Sequence, residues 1–450
     1  MLGRPNLYTS YEAEAKILPT WTQKTVAALA IAVMFLMPFN LPVINQIPLI
    51  KFLGDADWLR VMMNVFVFAI AALGLNILTG VAGQVSLGHA FFMGVGAYTS
   101  AALGGEGSER LIGWNLPIWI WLPGAGIGAA LVGLLIAPVA VRLRGLYLAI
   151  VTLGLVFIGV HLGNMSWGRR LAGDPGLGRQ FPGLDIRFWK EEKPLVNLED
   201  DGHWLWFDVS DTQKRYLFLA VLLLVFIVLA KNIARSRTGR ALQAIRDRDI
   251  AAEVMGVPEF QYKLIAFAIS SFIAGVAGAL FASYVGKLPP GQFSLALSVT
   301  FIAILLIGGV GTVAGTMLGT VFVVLVPNLV EKFTEWLADR EDGTSFFDRW
   351  FMNPVVGRGA DVVLTDGQGD FARVGPLGRG DLFGVLGTGE HDFGPISTAT
   401  QTPGWPLNVF DWNVVLYGVL IIVFLIFEPL GLYGIWVKVR NYWKRWPFSY

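Results

Sequence analysis

The chain has 450 residues, 54% of them hydrophobic and only 15% charged, with a net charge of +1 at neutral pH and a mean hydropathy of +0.59. A soluble domain carries nearer a quarter charged residues, and apolar runs close to the roughly 20 residues that cross a bilayer as helix recur along the sequence. A soluble protein is excluded, the charge balance suggests neither a nucleic acid nor an acidic substrate, and the absence of cysteine removes disulfides, thiol catalysis and cysteine-based metal sites.

The polar opening, residues 1–24, is too long for the basic region of a signal peptide, so the run 26–39 is expected to be a retained first span, closed by Pro38 and Pro42. Further spans are expected at 60–80, 83–103, 116–138 and 146–163. Residues 164–215 form an external polar segment, with Trp167, Trp189, Trp204 and Trp206 placed to anchor at the interface. A sixth span at 216–230 leads into a polar loop, 231–262, and spans at 263–285, 295–310 and 313–330 follow. Residues 331–412 read as an external insertion rich in Gly and Asp. Residues 413–427 are the last span, and a basic tail runs to 450. The division is therefore a main helical body over 1–330, the insertion over 331–412, and a closing piece over 413–450.

Charge orients these spans. Between Lys231 and Arg248 stand Lys231, Arg235, Arg237, Arg240, Arg246 and Arg248 against the single acid Asp247. Short basic loops beside spans lie on the cytoplasmic side. Alternating outward from this loop puts the N-terminus, the turn bearing Arg142 and Arg144, and the C-terminal Lys438, Arg440, Lys444 and Arg445 on that same side. The insertion, with a balance of −7, falls outside. The expected fold is all-α: a polytopic membrane protein of about ten transmembrane helices with both termini cytoplasmic. No expected span carries Asp, Glu, Lys or Arg between its ends. Carriers coupled to protons or sodium usually accept the cost of a mid-membrane acid, so the sequence argues against one.

Residues 73–98 hold the densest cluster of small and polar groups. Gly80, Gly83 and Gly88 let helices approach closely or break. Asn76, Thr79, Gln84, Ser86 and His89 are neutral hydrogen-bonding groups at membrane depth, where they must face protein or water. Tight packing and the wall of a translocation path are both open readings. His89 has no acid beside it and reads as a packed histidine. Residues 307–315 echo 79–88 and, like them, join two apolar runs at a cytoplasmic turn.

Residues 238–255 are expected to form one amphipathic helix, capped by Thr238, with Ala241, Ala244, Ile245, Ala252 and Met255 on one side. A short helix of small residues and arginines, joined rigidly to two spans, suits either the interface or a groove on a soluble partner.

Here the chain resembles the permease subunits of bacterial ATP-binding-cassette importers for branched-chain amino acids, the LivM-like subunit in particular. The resemblance is carried by 74–98, 142–154, 239–256, 262–282, 307–319 and the closing Glu428-Pro429-Leu430-Gly431-Leu432-Tyr433-Gly434. Ala251-Ala252 followed by Gly256 resembles the permease signature that contacts the ATPase, with Ile250 in place of its usual acid. The resemblance implies a multi-pass protein of the bacterial inner membrane. Its partners are a second permease subunit, two cytoplasmic ATPases and a periplasmic binding protein, with ATP and Mg held on the ATPases and no cofactor in this chain. It implies ATPase coupling through Gly239, Arg240, Ala241, Ala244, Ile245, Arg246, Ala251, Ala252 and Gly256. The path residues are then Asn76, Thr79, Gly80, Gly83, Gln84, Ser86, Gly88 and His89. Consistently, the sequence has no G-x-x-x-x-G-K-[ST] loop and no catalytic or metal constellation. Related permeases carry urea or short amides, which stand as the alternative cargo. A self-sufficient carrier or channel is the alternative of another class.

Overall fold

The computed structural model describes residues 21–39, 56–187 (apart from 109, 144 and 175), 202–204, 207–338 and 431–445, with short pieces at 396–397 and 407–408 and scattered single positions. In chain order the helices are α1 (Trp21–Leu36), α2 (Ala56–Leu75), α3 (His89–Gly104), α4 (Ile118–Val141), α5 (Leu146–Asn164), α6 (Arg169–Ala172), α7 (Asp211–Arg235), α8 (Arg237–Asp247), α9 (Asp249–Val254), α10 (Glu259–Val285), α11 (Leu295–Gly308), α12 (Val313–Ala338) and α13 (Gly431–Arg445). The first strand, β1 (Arg179–Gln180), pairs antiparallel with β4 (Lys287–Leu288). Between them in sequence, β2 (Gly202–Trp204) and β3 (Phe207–Val209) form a small hairpin.

Seven of these segments are long and apolar enough to cross a membrane: Asp57–Val81, Ile118–Val139, Tyr147–Asn164, Asp211–Arg235, Glu259–Val285, Pro290–Gly308 and Val313–Val330, with a shorter apolar helix at Lys24–Leu36. They coincide with expected spans. The expected span at 83–103, whose continuity the sequence leaves open, is irregular over residues 82–88 and helical from His89, in α3. The expected last span, 413–427, lies outside the described residues except at isolated positions.

The bundle is organised on α2 and α10, of whose spans 78% and 72% are buried, against 22% for α5 and 28% for α7. Glycine makes this core possible. A Cβ on Gly96 of α3 would sit 2.2 Å from Gly275 Cα of α10, and one on Gly278 only 2.0 Å from the Met93 carbonyl oxygen. The backbones of α3 and α10 therefore touch, the small-residue packing that replaces hydrophobic drive inside a membrane. At the rim, Ser210 and Gln213 form a reciprocal capping box at the start of α7. Gln213 Nε2 also donates to the Pro38 carbonyl at 2.7 Å, and Tyr216 Oη to the Met34 carbonyl at 2.9 Å, fixing the end of α1 beside the start of α7.

One buried cluster gathers Leu78 and Val81 from the end of α2, Ala137 from α4, Leu148 from α5, Leu242 from α8 and Phe267 from α10, with Leu143 packed against it. It places the loop 231–262 and the turn at Arg142 at one end of the bundle, as the shared basic character of both requires. α13 starts at this end too, its Gly431 lying against the Ile307 carbonyl. The opposite end is closed by the β1–β4 pair and by Arg179, which is 2% exposed. Arg179 Nη1 donates to the Leu171 carbonyl at 3.3 Å and Nη2 to the Glu106 carbonyl at 3.4 Å. Burial pulls the pKa of this guanidinium below its ordinary value. Leu177 and Met255 are exposed at opposite ends. Because the chain has no cysteine of its own, single cysteines at these two positions are expected to react with an impermeant maleimide from opposite sides of sealed vesicles. Labelling of both from one side would break the topology.

Residues 323–429 make a second compact unit. Its described parts are the remainder of α12, which continues past the expected span end at 330 to Ala338, and a two-residue parallel pair, β5 (Ile396–Ser397) and β6 (Leu407–Asn408). The rest of the insertion lies outside the described residues.

Candidate functional site at the basic end of the bundle

The break after α2 is built first by the backbone. α2 widens into a π-helical turn over Asn76–Val81, Gly83 takes a left-handed φ of +71°, and helix resumes only at His89. Such π-turns commonly sit at functional sites. The irregular stretch is held by side chains. Thr79 Oγ1 donates to the Gln84 carbonyl at 3.1 Å, Thr152 Oγ1 of α5 accepts the Leu87 N–H at 2.9 Å, and Ser298 Oγ of α11 accepts the Ala90 N–H at 3.1 Å. His89 Nε2 lies 2.8 Å from the Ala71 carbonyl oxygen, and its ring packs edge-on against Phe301. Ala71 precedes the end of the π-turn by ten residues of helix, about 15 Å at 1.5 Å per residue. α3 therefore begins alongside the middle of α2, within the bundle.

The two echoing glycine segments meet. Asn76 is 2% exposed, and its Oδ1 accepts the Gly311 N–H at 2.8 Å. A Cβ on Gly80 would lie 2.3 Å from Asn76 Oδ1 and 2.5 Å from Gly311 N. Arg246 of α8 closes the joint: Nη1 donates to the Gly80 carbonyl at 2.6 Å, while Nε and Nη2 donate to Asp247 at 3.2 and 3.1 Å. Gly83 is in contact too, since a Cβ there would fall 2.6 Å from Arg246 Cγ.

The loop 231–262 departs from the single helix expected over 238–255. It forms two helices, because Arg248 is extended at φ −157° and ψ 102°. The cap of α8 is Ser236, whose Oγ accepts the Gly239 N–H at 3.2 Å, and not Thr238. Gly239 lets α8 fold back tightly on α7, since a Cβ would sit 2.2 Å from the Ile233 carbonyl oxygen. At the other side the Val257 N–H closes on the Ala252 carbonyl at 3.0 Å, and Lys263 pairs with Glu259 in the first turns of α10. The loop is thus clamped to two long helices.

Sequence comparison decides what kind of molecule carries this arrangement. Residues 58–351 match the family described as branched-chain amino acid transport system, permease component. The chain belongs to this permease family. It is 34% identical over 287 residues to the high-affinity branched-chain amino acid transport system permease protein LivM of Escherichia coli (strain K12), covering 60% of this chain and 63% of that protein. It is 27% identical over 257 residues to LivH of the same organism, covering 56% and 78%. A shorter match, 35% identity over 123 residues, reaches the autoinducer 2 import system permease protein LsrC of Enterobacter sp. (strain 638), covering 26% of this chain and 35% of that one. The permease thus spans less than two thirds of the LivM length it matches. No solved structure matches it.

Within the permease, the residues expected to face an ATPase divide. Arg240, Ala244, Ala251 and Gly256 are exposed and Ala241 is half-buried, whereas Gly239, Ile245 and Ala252 are buried against their own chain. The sequence reading missed the surface that stands out instead: Ile250, Val254 and Met255 on and beside α9, exposed by 70%, 81% and 84%. Three large apolar side chains bare at a basic, polar end form a patch that calls for a cover. Their signal was legible as an Ile250–Val254 pair at i, i+4, but Met255 was placed on one side with Ala252, which the structure buries.

Of the residues expected along a path, Asn76, Gly80 and Gly83 converge with Arg246, and Gln84, Ser86, Gly88 and His89 continue into the broken stretch. All except Thr79 and Gly83 are buried or nearly so. Gln84 Oε1 is buried without a hydrogen-bond partner among the described residues. Separately, a cavity of about 490 Å³ opens between α3, α4 and α5, lined by Phe91, Val95, Tyr98, Val156, Val160 and Phe293. None of the expected path residues lines it. Its walls follow helical spacing, at 91, 95 and 98 on α3 and at 156 and 160 on α5, a pattern that also describes ordinary packing.

Proposed function

We propose that this permease is a subunit of an ATP-driven importer in the bacterial inner membrane, pairing with a second permease and carrying branched-chain or similar small neutral amino acids delivered by a periplasmic binding protein. The single observation that carries the reading is the clamped α8–α9 unit. It bares Ile250, Val254 and Met255 to the basic side and at its other face touches the break in α2. A patch for a soluble partner is thereby joined to an irregular, polar stretch of the bundle.

Several features support the remaining parts. Likeness to both LivM and LivH favours pairing of two related permeases. The broken stretch 82–88 at membrane depth is the kind of irregular backbone that lines a transport route. The apolar cavity suits a branched aliphatic side chain better than urea or a short amide.

The test is reconstitution in proteoliposomes with the second permease, the ATPases and the binding protein. ATP-dependent uptake of radiolabelled leucine is expected, competed by valine and isoleucine and untouched by excess urea or acetamide. Uptake by the chain without ATPases would establish the self-sufficient carrier or channel instead.

A further inference from the structure

We propose that Arg246 is the tie that carries movement of the α8–α9 unit into the broken span, and that its guanidinium works inward on the permease's own backbone. This rests on the importer reading above. From sequence alone Arg246 has two candidate partners: an acid on the ATPase, or Asp249 or Glu253 on its own helix. The geometry gives a third answer. Nη1 is spent on the Gly80 carbonyl at 2.6 Å, and Nε and Nη2 are spent on Asp247.

The Gly80 carbonyl is the acceptor that the break leaves over. The Ala82 N–H goes to the Ile77 carbonyl and the Gln84 N–H to the Leu78 carbonyl, both at 3.0 Å, and the chain then turns away at Gly83. A planar, permanently charged fork is suited to hold such a carbonyl while a second edge stays on a carboxylate. One turn back, Asn76 Oδ1 takes the Gly311 N–H, so the α11–α12 turn is drawn into the same network. Three moving parts thus share one short chain of bonds: α8, the end of α2, and the 309–311 turn. The apolar contact of Leu242 with Leu78 and Val81 supplies adhesion between α8 and α2. The arginine supplies direction, because its bond is made to one carbonyl and fails when α8 slides. Arg246 is therefore a positioning residue, acting through the backbone it holds.

The full complex in proteoliposomes tests this by two rates measured together. Arg246→Ala is expected to keep its ATPase subunits and to hydrolyse ATP at the wild-type rate, while leucine carried per ATP falls about tenfold, within the usual range of coupling between linked sites. Gly83→Ala leaves the arginine intact but puts a methyl group 2.6 Å from its Cγ, and it should reproduce the uncoupling. Arg246→Lys keeps one donor and should recover part of the stoichiometry. Loss of the ATPases from the Arg246→Ala complex would show that the side chain works on the partner, and an unchanged leucine-to-ATP ratio would show an idle tie; either result overturns the proposal.

A second readout needs no partner. Spin labels on cysteines at Ala244 and Val310, both exposed, are expected to give one narrow distance in the wild-type chain and a broad one in Arg246→Ala. An unchanged distribution would also overturn the tie. If the wild-type complex shows no ATP-dependent uptake, the importer reading falls while the label distances still judge the tie. If Arg246→Ala does not fold, Gly83→Ala and Arg246→Lys carry both measurements.

Discussion

In the importer proposed above, aspartate at both Val254 and Met255 is expected to strip the permease of the ATPases and abolish uptake while leaving its amount in the membrane unchanged. Both side chains are more than four-fifths exposed, so the isolated chain loses no packing. Substitutions at such positions usually stay within about 0.5 kcal/mol. In a covered contact each apolar side chain contributes roughly 1.5–3 kcal/mol. Removing two therefore costs roughly 3–6 kcal/mol before any charge is buried, about a hundredfold to ten-thousandfold in a binding constant. Co-purification of the ATPases with the tagged variant, at matched permease levels, measures it. Wild-type retention would exclude α9 as the docking surface. Ala252→Trp, the natural test from sequence, reports on something else. Ala252 is buried between its own helices, and a bulky ring there disrupts α9 before any partner is met.

Gly80→Ala is the second large effect, from a single methyl group. Its Cβ would lie within 2.7 Å of Asn76 Oδ1 and of both Gly311 N and Gly311 Cα. Overpacking typically costs about 1–3 kcal/mol, and breaking the buried bond from Gly311 to Asn76 leaves a donor unsatisfied at about 1–3 kcal/mol more. Roughly 2–6 kcal/mol is a large part of the 5–15 kcal/mol that usually separates folded from unfolded protein. A fall in melting temperature and a loss of monodisperse material on size exclusion in detergent are expected. Gly154 provides the control, because nothing lies within 4 Å of a Cβ there. Gly154→Ala should be neutral or slightly stabilising, since alanine is the better helix former by roughly 0.5–1 kcal/mol. Equal behaviour of the two variants would remove the packed joint.

Long apolar runs made the spans readable, because a helix in lipid must satisfy its backbone within itself and its length is set by the bilayer. The basic end was readable for an equally simple reason: arginine is not carried across. What composition does not encode is where a glycine-rich run stops being helix. The stretch 83–103 mixes glycine and polar residues with apolar ones, and the groups that hold its irregular start include Thr152 and Ser298, two hydroxyls distant in sequence. The direction of Arg246 was hidden likewise. Its charge pointed to an acid, and beside Asp247 it holds the Gly80 carbonyl, in the last turn before the break. Ala252 and Met255, expected on one side, part into a buried and an exposed position, because the extended Arg248 ends the first helix and starts a second. Three of the residues expected along a path, Asn76, Gly80 and Gly83, lie at the joint that Arg246 closes.

The start of α3 within the bundle has a consequence for how the chain is made. The Ala90 N–H waits for the Ser298 hydroxyl, 208 residues later. At roughly 5–20 residues per second, that partner leaves the ribosome roughly 10–40 s after Ala90 does. Through that interval a nascent segment with unpaired amides must be held within or beside the insertion machinery. Chains cut short before residue 298 are therefore expected to be surveillance substrates, degraded by membrane proteases although most of their hydrophobic segments have already been synthesised.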